Sequence, residues 1–314
     1  MAIIRTLPLK VFSACLLALV AALLAFGFLA VPAEAAARKK EKPPESPFEM
    51  PMRIVIVRNN VPGCEPLCPQ WLSAEGQITS KTPALFRKAL ANTRAFPLPI
   101  VMTSTGGDVD AALAIGEMIR KRHLDVVVGW TYFAGCAPVE KKCKLPKEQK
   151  GVYRGIAMSS RGFCVSACAF ILAAGEKRLR GEGTYVGVHQ ISRTITREKV
   201  RYSERYSIVK GKKKILSRKI VSRKPMKSYV STKLDKRLEK KLAAYFNRMG
   251  VDKSLLALFE RAPPTSMYLL AGDELRTTRL ITGVTPALDL IASSLCANTP
   301  PAGNCVLLEA AGKP

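Results

Sequence analysis

Apolar residues along the chain switch between two spacings. Arg53-Ile-Val-Ile-Val-Arg58 is a short apolar run between charges and predicts a strand. Thr82–Thr93 carries Leu85 and Ala89 at helical spacing, with Thr82 as cap and Pro83 in the first turn. Leu98–Met102 reads as a buried strand. It ends in Ser104-Thr105-Gly106-Gly107-Asp108, which opens a helix through Arg122 with Ala111, Ala112, Ile115, Met118 and Ile119 on one side. Asp125–Trp130 is the next strand, Tyr132–Gly155 has no period and reads as an irregular loop, and Ala169–Ala174 is an apolar run suited to a buried helix. Glu176–Arg180 turns into a strand at Tyr185–Gln190. Lys233–Met249 is an amphipathic helix with Leu234, Leu238, Leu242, Tyr245 and Met249 on one face. Gly250 ends it, and Asp252 caps a further helix that Pro263-Pro264 stops. Strands alternating with helices predict an α/β domain with a mainly parallel sheet.

The N-terminus follows a different pattern. Arg5 and Lys10 precede an uncharged apolar segment at 11–31, and Pro32-Ala-Glu-Ala-Ala36 then offers small residues at a signal-peptidase spacing. Residues 1–35 read as a signal peptide cleaved after Ala35. The apolar run is also long enough to remain as an inner-membrane anchor. Either way the remainder is expected outside the cytoplasm, periplasmic and either soluble or anchored. Residues 36–52, rich in Lys, Glu and Pro, read as a linker. The domain proper is expected over 53–283, with a Cys-containing tail at 284–314.

Cysteine usage agrees with export. Of nine cysteines, Cys15 lies in the apolar segment and eight fall in close pairs: Cys64/Cys68, Cys136/Cys143, Cys164/Cys168 and Cys296/Cys305. Behind an export signal these eight are disulfide candidates, with the pairing left open. Zinc at Cys64-x3-Cys68 is the rival reading, and the other pairs do not repeat that spacing. The charge is uneven. Fifty Lys and Arg against 24 Asp and Glu leave +26 over 314 residues. Arg193–Lys227 alone has fourteen bases and two acids. It reads as an inserted hairpin or partly ordered segment around Gly211, either a solvated surface or a patch for an anionic membrane surface or envelope polymer. Nucleic acid is not expected as a partner of an exported chain.

Three features carry chemistry. Gly106 and Gly107 follow a strand and let backbone N–H groups approach a ligand. Ser166 sits in Arg161-Gly-Phe-Cys-Val-Ser-Ala-Cys168, ahead of the apolar helix; alone it reads equally as an ordinary helix cap. His189, one of two histidines, lies on a strand 23 residues later and can take a serine proton near neutral pH. His123, the other, follows a basic helix end and needs no catalytic role. Asp108 and Asp110 read as first-turn helix residues.

In this order the motifs resemble the Clp protease proteolytic subunit of the Clp/crotonase superfamily. Ser104–Gly107 is similar to that family's Ser-Pro-Gly-Gly loop with Thr105 in place of proline. Cys164-Val-Ser166-Ala-Cys168 resembles its nucleophile segment, Val188-His189-Gln190 its His-Gln motif, and Leu269–Ile281 its closing segment. The cysteine-flanked serine behind an export signal resembles uncharacterised exported members. The resemblance spans about Ala74–Gly283, with the basic segment inserted.

It implies a spiral of ββα units. It also implies Ser166 as nucleophile, His189 as base, and the backbone N–H groups of Gly107 and Ala167 as oxyanion hole. No cofactor or metal is implied. Peptide or unfolded-protein substrates are, and so is a homo-oligomer, since relatives stack as rings. The family's third triad residue, an aspartate, has no counterpart. Thr265, Ser266, Asp273 and Asp252 are the weak stand-ins, and losing the carboxylate can cost orders of magnitude in rate. A serine peptidase that works without an ATP-driven unfoldase is therefore one expectation; an inactive Clp-fold binding or assembly module is the other. Acyl-CoA chemistry of crotonase type is disfavoured, because a Ser–His pair does not perform it and exported compartments lack CoA.

Overall fold

The computed structural model describes residues 46–93, 97–297 and 300–308. The expected signal peptide or anchor and most of the linker lie outside them. Among the described residues no helix is long and apolar enough to cross a membrane.

The chain opens with β1 (Arg53–Asn59) and β2 (Gln70–Glu75), an antiparallel pair, then α1 (Thr82–Asn92), β3 (Ile100–Thr103), α2 (Val109–Lys121) and β4 (Val126–Val128). β5 (Trp130–Phe133), β6 (Tyr153–Met158), β7 (Phe163–Val165), α3 (Cys168–Ala173), β8 (Arg178–Arg180) and β9 (Tyr185–Val188) follow. Next come β10 (Arg193–Ile195), β11 (Glu198–Val209), β12 (Lys212–Pro225), β13 (Tyr229–Ser231), α4 (Lys236–Arg248) and α5 (Leu255–Phe259). β14 (Tyr268–Leu269), α6 (Gly272–Thr277), β15 (Gly283–Val284) and α7 (Ala287–Ser293) end the series.

Eight strands form one sheet in the order β15-β8-β4-β3-β2-β1-β6-β5. Its pairings are parallel except β1 with β2 and β5 with β6. This mixed α/β architecture with a large, mainly parallel sheet fits the Clp-like class that the motifs imply. Alternation along the central strands divides the core in two. Leu72, Ala74, Ile100, Met102, Val126 and Val128 face the helices α1 to α5, while Trp71, Val101 and Val127 face Ala287, Leu290 and Ile291 of α7.

Several elements depart from the pattern reading. β2 was not anticipated: Trp71, Leu72, Ser73 and Ala74 are all buried, so the strand shows no alternation. The Asp125–Trp130 strand is two strands separated by Gly129, where an added Cβ would lie 2.7 Å from the Met158 carbonyl. In α1 the cap is Lys81, and the buried face is Phe86, Ala89 and Leu90; Leu85 points outward. The larger ring at 86 sets the helix phase, and its neighbour falls outside. The expected loop 132–155 holds Tyr132 and Phe133 of β5 and the start of β6. Past Thr282 the chain adds β15 to the sheet edge and α7 to its second face.

Four disulfides join Cys64–Cys68, Cys136–Cys143, Cys164–Cys168 and Cys296–Cys305. Each bonds sequence neighbours, and zinc at Cys64 and Cys68 is replaced by a cystine. Such bonds point to an oxidising compartment.

Candidate active site

β3 carries the large sheet into a small one. Past Thr103 the Ser104 N–H donates to the Phe163 carbonyl at 3.0 Å, and the Val165 N–H donates to the Ser104 carbonyl at 3.1 Å. β7 then pairs parallel with β9, and β9 pairs antiparallel with β14. Ser166 therefore stands where two sheets meet, just past the end of β7 and beside the carboxyl end of β3, a central strand of the large sheet. Open α/β sheets commonly place ligands there.

Ser166 has φ +57°, a left-handed conformation that costs a non-glycine residue on the order of 1 kcal/mol or more. Its N–H donates to the Gly187 carbonyl at 2.8 Å, and its carbonyl accepts from the Ala169 N–H at 3.1 Å. The Cys164–Cys168 bond closes the turn from both sides, and both cysteines are fully buried. Ala167 occupies the cap position of α3, and no side chain caps that helix. The ordinary-cap reading of Ser166 is therefore not what its side chain does. Among the described residues it makes no hydrogen bond, and it is half-buried.

Both glycines are required by close approach. A Cβ on Gly106 would lie 2.6 Å from Ser166 Cβ and 2.7 Å from the Val165 carbonyl. One on Gly107 would lie 2.1 Å from the Ile78 carbonyl, and both residues have positive φ. The Ile78 N–H donates to the Gly106 carbonyl at 2.7 Å, and the Asp108 N–H donates to the Ile78 carbonyl at 2.9 Å. These two bonds make a parallel bridge between Ile78 and Gly107, in which the Gly107 N–H itself points away from Ile78. Neither that N–H nor the Ala167 N–H has a partner among the described residues. Two free amides flanking a hydroxyl are what an oxyanion site needs.

β7 and β9 pair Val165 with Gly187, so Val188 faces Ser166 and His189 stands one residue beyond. His189 is half-buried. Its Nδ1 lies 2.8 Å from the Gln190 carbonyl oxygen. A carbonyl only accepts, so Nδ1 carries the proton and the lone pair is left on Nε2. That is the tautomer a general base requires. Ser166 Oγ and His189 make no direct hydrogen bond here, a contact that in unliganded enzymes often closes only on substrate.

No stand-in for the missing aspartate bonds His189. Thr265, Ser266 and Asp273 are exposed, and none of the three hydrogen-bonds the imidazole. Asp252 Oδ1 accepts the Ser254 N–H at 2.8 Å, a bond that holds its carboxyl below the usual range. The nearby carboxylate that sequence reasoning missed is Glu260, which accepts from Gln190 Nε2 at 3.2 Å rather than from the histidine. The Gln190 carbonyl was also missed, because a main-chain acceptor leaves no mark on residue type. His123 is outside the site. It is exposed, and its Nδ1 lies 3.2 Å from Glu176 Oε2. Asp108 caps α2, accepting the Ala111 N–H at 2.9 Å.

A groove of about 670 Å³ runs from Gly107 past Asp108 and Asp110 to Ser192, Arg193 and Arg237. Two ion pairs line it: Arg193 with Asp235 at 2.6 Å, and Lys241 with Asp110 at 2.6 Å. Among the described residues no cluster of His, Cys, Asp and Glu is arranged to hold a metal.

No protein-family model matches this chain, and no curated protein matches it. Solved structures do. A substrate-peptide complex of the membrane-bound stomatin-specific protease 1510-N is 15% identical, with a TM-score of 0.39 over 71% of this chain and 77% of that one. ClpP1 of Listeria monocytogenes is 14% identical, with a TM-score of 0.38 over 68% of this chain and 90% of its own. The ClpP catalytic domain of Plasmodium falciparum is 14% identical, with a TM-score of 0.35 over 67% and 80%.

Proposed function

We propose that this chain is an exported serine hydrolase of the peptidase type. His189 Nε2 takes the Ser166 hydroxyl proton as Oγ attacks a substrate carbonyl. The N–H groups of Gly107 and Ala167 hold the oxyanion that forms. The imidazolium returns its proton to the leaving amine, and water, deprotonated by the same nitrogen, frees the acyl group. The Gln190 carbonyl orients the ring where a carboxylate is usual, and a neutral acceptor stabilises the imidazolium less. Slow turnover follows. The observation that carries the reading is the left-handed Ser166 turn, pressed on Gly106, with two free amides beside it and His189 one residue past its facing position. On this reading a substrate peptide lies along the groove that Gly107 lines. Outside the cytoplasm no ATP drives an unfoldase, so the substrates are short or already unfolded.

The His189 partner also favours a second reading, a binding module that keeps the fold without turnover. Purified full-length protein is incubated with short fluorogenic peptides and an unfolded protein, without nucleotide. The hydrolase reading expects cleavage that falls at least ~10³-fold in Ser166→Ala. No cleavage by the parent, or equal cleavage by that variant, leaves the module.

A further inference from the structure

β11 and β12 form a two-stranded ribbon that pairs with none of the other three sheets, the short β10–β13 pair included, and its two faces are chemically distinct. Paired residues share a face and successive pairs alternate. One face carries Lys199/Lys224, Arg201/Ser222, Ser203/Lys219, Arg205/Ser217, Ser207/Lys214 and Val209/Lys212. It holds seven bases and no acid. The other carries Val200/Arg223, Tyr202/Ile220, Glu204/Arg218, Tyr206/Ile215 and Ile208/Lys213. Two acids offset most of its charge: Glu204 bonds Lys213 at 2.9 Å and Arg218 at 2.6 Å, and Glu198 bonds Arg223 at 3.0 Å. Lys213 and Arg218 lie over the rings of Tyr206 and Tyr202. Leu216 and Val221 are the extra residues at the two register shifts, and with Ile208 they are more than 60% exposed. Eleven of the twenty exposed large apolar side chains among the described residues fall between Tyr202 and Val230.

We propose that this ribbon docks on an anionic lipid bilayer, its apolar face at the boundary between headgroups and acyl chains. An amphipathic element with one apolar and one cationic face behaves this way at membrane surfaces. The ribbon is a single strand spacing across, about 5 Å, so long Lys and Arg stems on the outer face reach round its edges to the headgroups. A polyanion in water would satisfy the basic face and leave the apolar one exposed. A second copy would cover the apolar face and bring together two segments of net charge +12, from fourteen bases and two acids each. An anionic bilayer satisfies both faces at once.

The test uses the full chain in a Cys15→Ser background, since Cys15 is the one cysteine outside the four disulfides. Ile208→Cys or Ile215→Cys carries an environment-sensitive fluorophore on the apolar face, and Arg205→Cys carries it on the basic face. Reading at the ribbon separates its docking from any binding by residues 11–31. With mixed phosphatidylcholine–phosphatidylglycerol vesicles, the labels at 208 and 215 should brighten several-fold, shift to the blue and be quenched by spin labels in the acyl chains. The label at 205 should not be quenched, pure phosphatidylcholine should give no response, and Ser166→Ala in the same background should respond like its parent. No response at 208 and 215 with the anionic vesicles overturns the proposal. So does an equal response at 205, or an equal response at 208 to heparin or duplex DNA.

Discussion

At the scale of single residues, the serine turn depends on space that only glycine leaves. Gly106 has φ +88° and would place a Cβ on Ser166 itself. Gly106→Ala should lower stability by about 1–3 kcal/mol and abolish reaction at Ser166, read by thermal unfolding and peptide hydrolysis together. A variant of parental activity would mean the turn is not held as described. Glu75 makes a second case. It is buried at the end of β2, accepting the Thr131 N–H at 2.6 Å and the Ser73 hydroxyl at 3.2 Å. Burial is the largest influence and pushes its carboxyl above the ordinary range. The folded state then holds the proton to higher pH than the unfolded one, whose glutamate titrates near ~4.3. The contribution to stability is complete below that value and falls as pH rises through the raised one. Glu75→Gln should match the parent in unfolding midpoint at acid pH and exceed it at neutral pH. A gap that does not change with pH would contradict this.

At the scale of elements, α4 locks the helical layer through one tyrosine. Tyr245 is buried, its hydroxyl donates to the Phe170 carbonyl at 2.6 Å, and Phe170 stacks on Phe246 and Phe259. Gly116 of α2 makes room, since a Cβ there would lie 1.7 Å from the Tyr245 hydroxyl oxygen. Tyr245→Phe should cost about 1–3 kcal/mol by orphaning that carbonyl, and Gly116→Ala a similar amount by overpacking, both measured by denaturant unfolding. These elements differ in how far the sequence announced them. α2 and α4 were readable because their apolar faces repeat at helical period, although Asp235, which caps α4, was not singled out. β2 was not, since a strand buried on both faces has no period to read. The ribbon was foreseen only as hairpin or partial order. Its charge was plain in the sequence, whereas the segregation of charge by face depends on a register set by two bulges.

At the scale of the molecule, the large sheet and the helices against it form the body, and the ribbon adds little to that core. The Met226 N–H donates to the Arg197 carbonyl at 2.8 Å, so the ribbon's two ends already meet. Replacing 198–225 by two glycines should leave the unfolding midpoint within a few degrees of the parent, whereas a large drop would show that the ribbon supports the fold. The alternation of strands and helices made the α/β class legible before any coordinates, and the motifs named the serine, the histidine and the glycine pair as candidates. What stayed hidden were main-chain atoms: the Gln190 carbonyl behind the imidazole, and the Ile78 peptide that turns the Gly107 amide free. Neither depends on the identity of the residue that supplies it. The central claim is that Ser166 is an activated nucleophile. The direct measurement is treatment of the folded full-length protein with a fluorophosphonate, followed by mass mapping of the adduct. The account predicts one adduct, on Ser166, absent in Ser166→Ala and formed at least ~10²-fold more slowly in His189→Gln. An untouched Ser166, or a rate unchanged by loss of the imidazole, would contradict it.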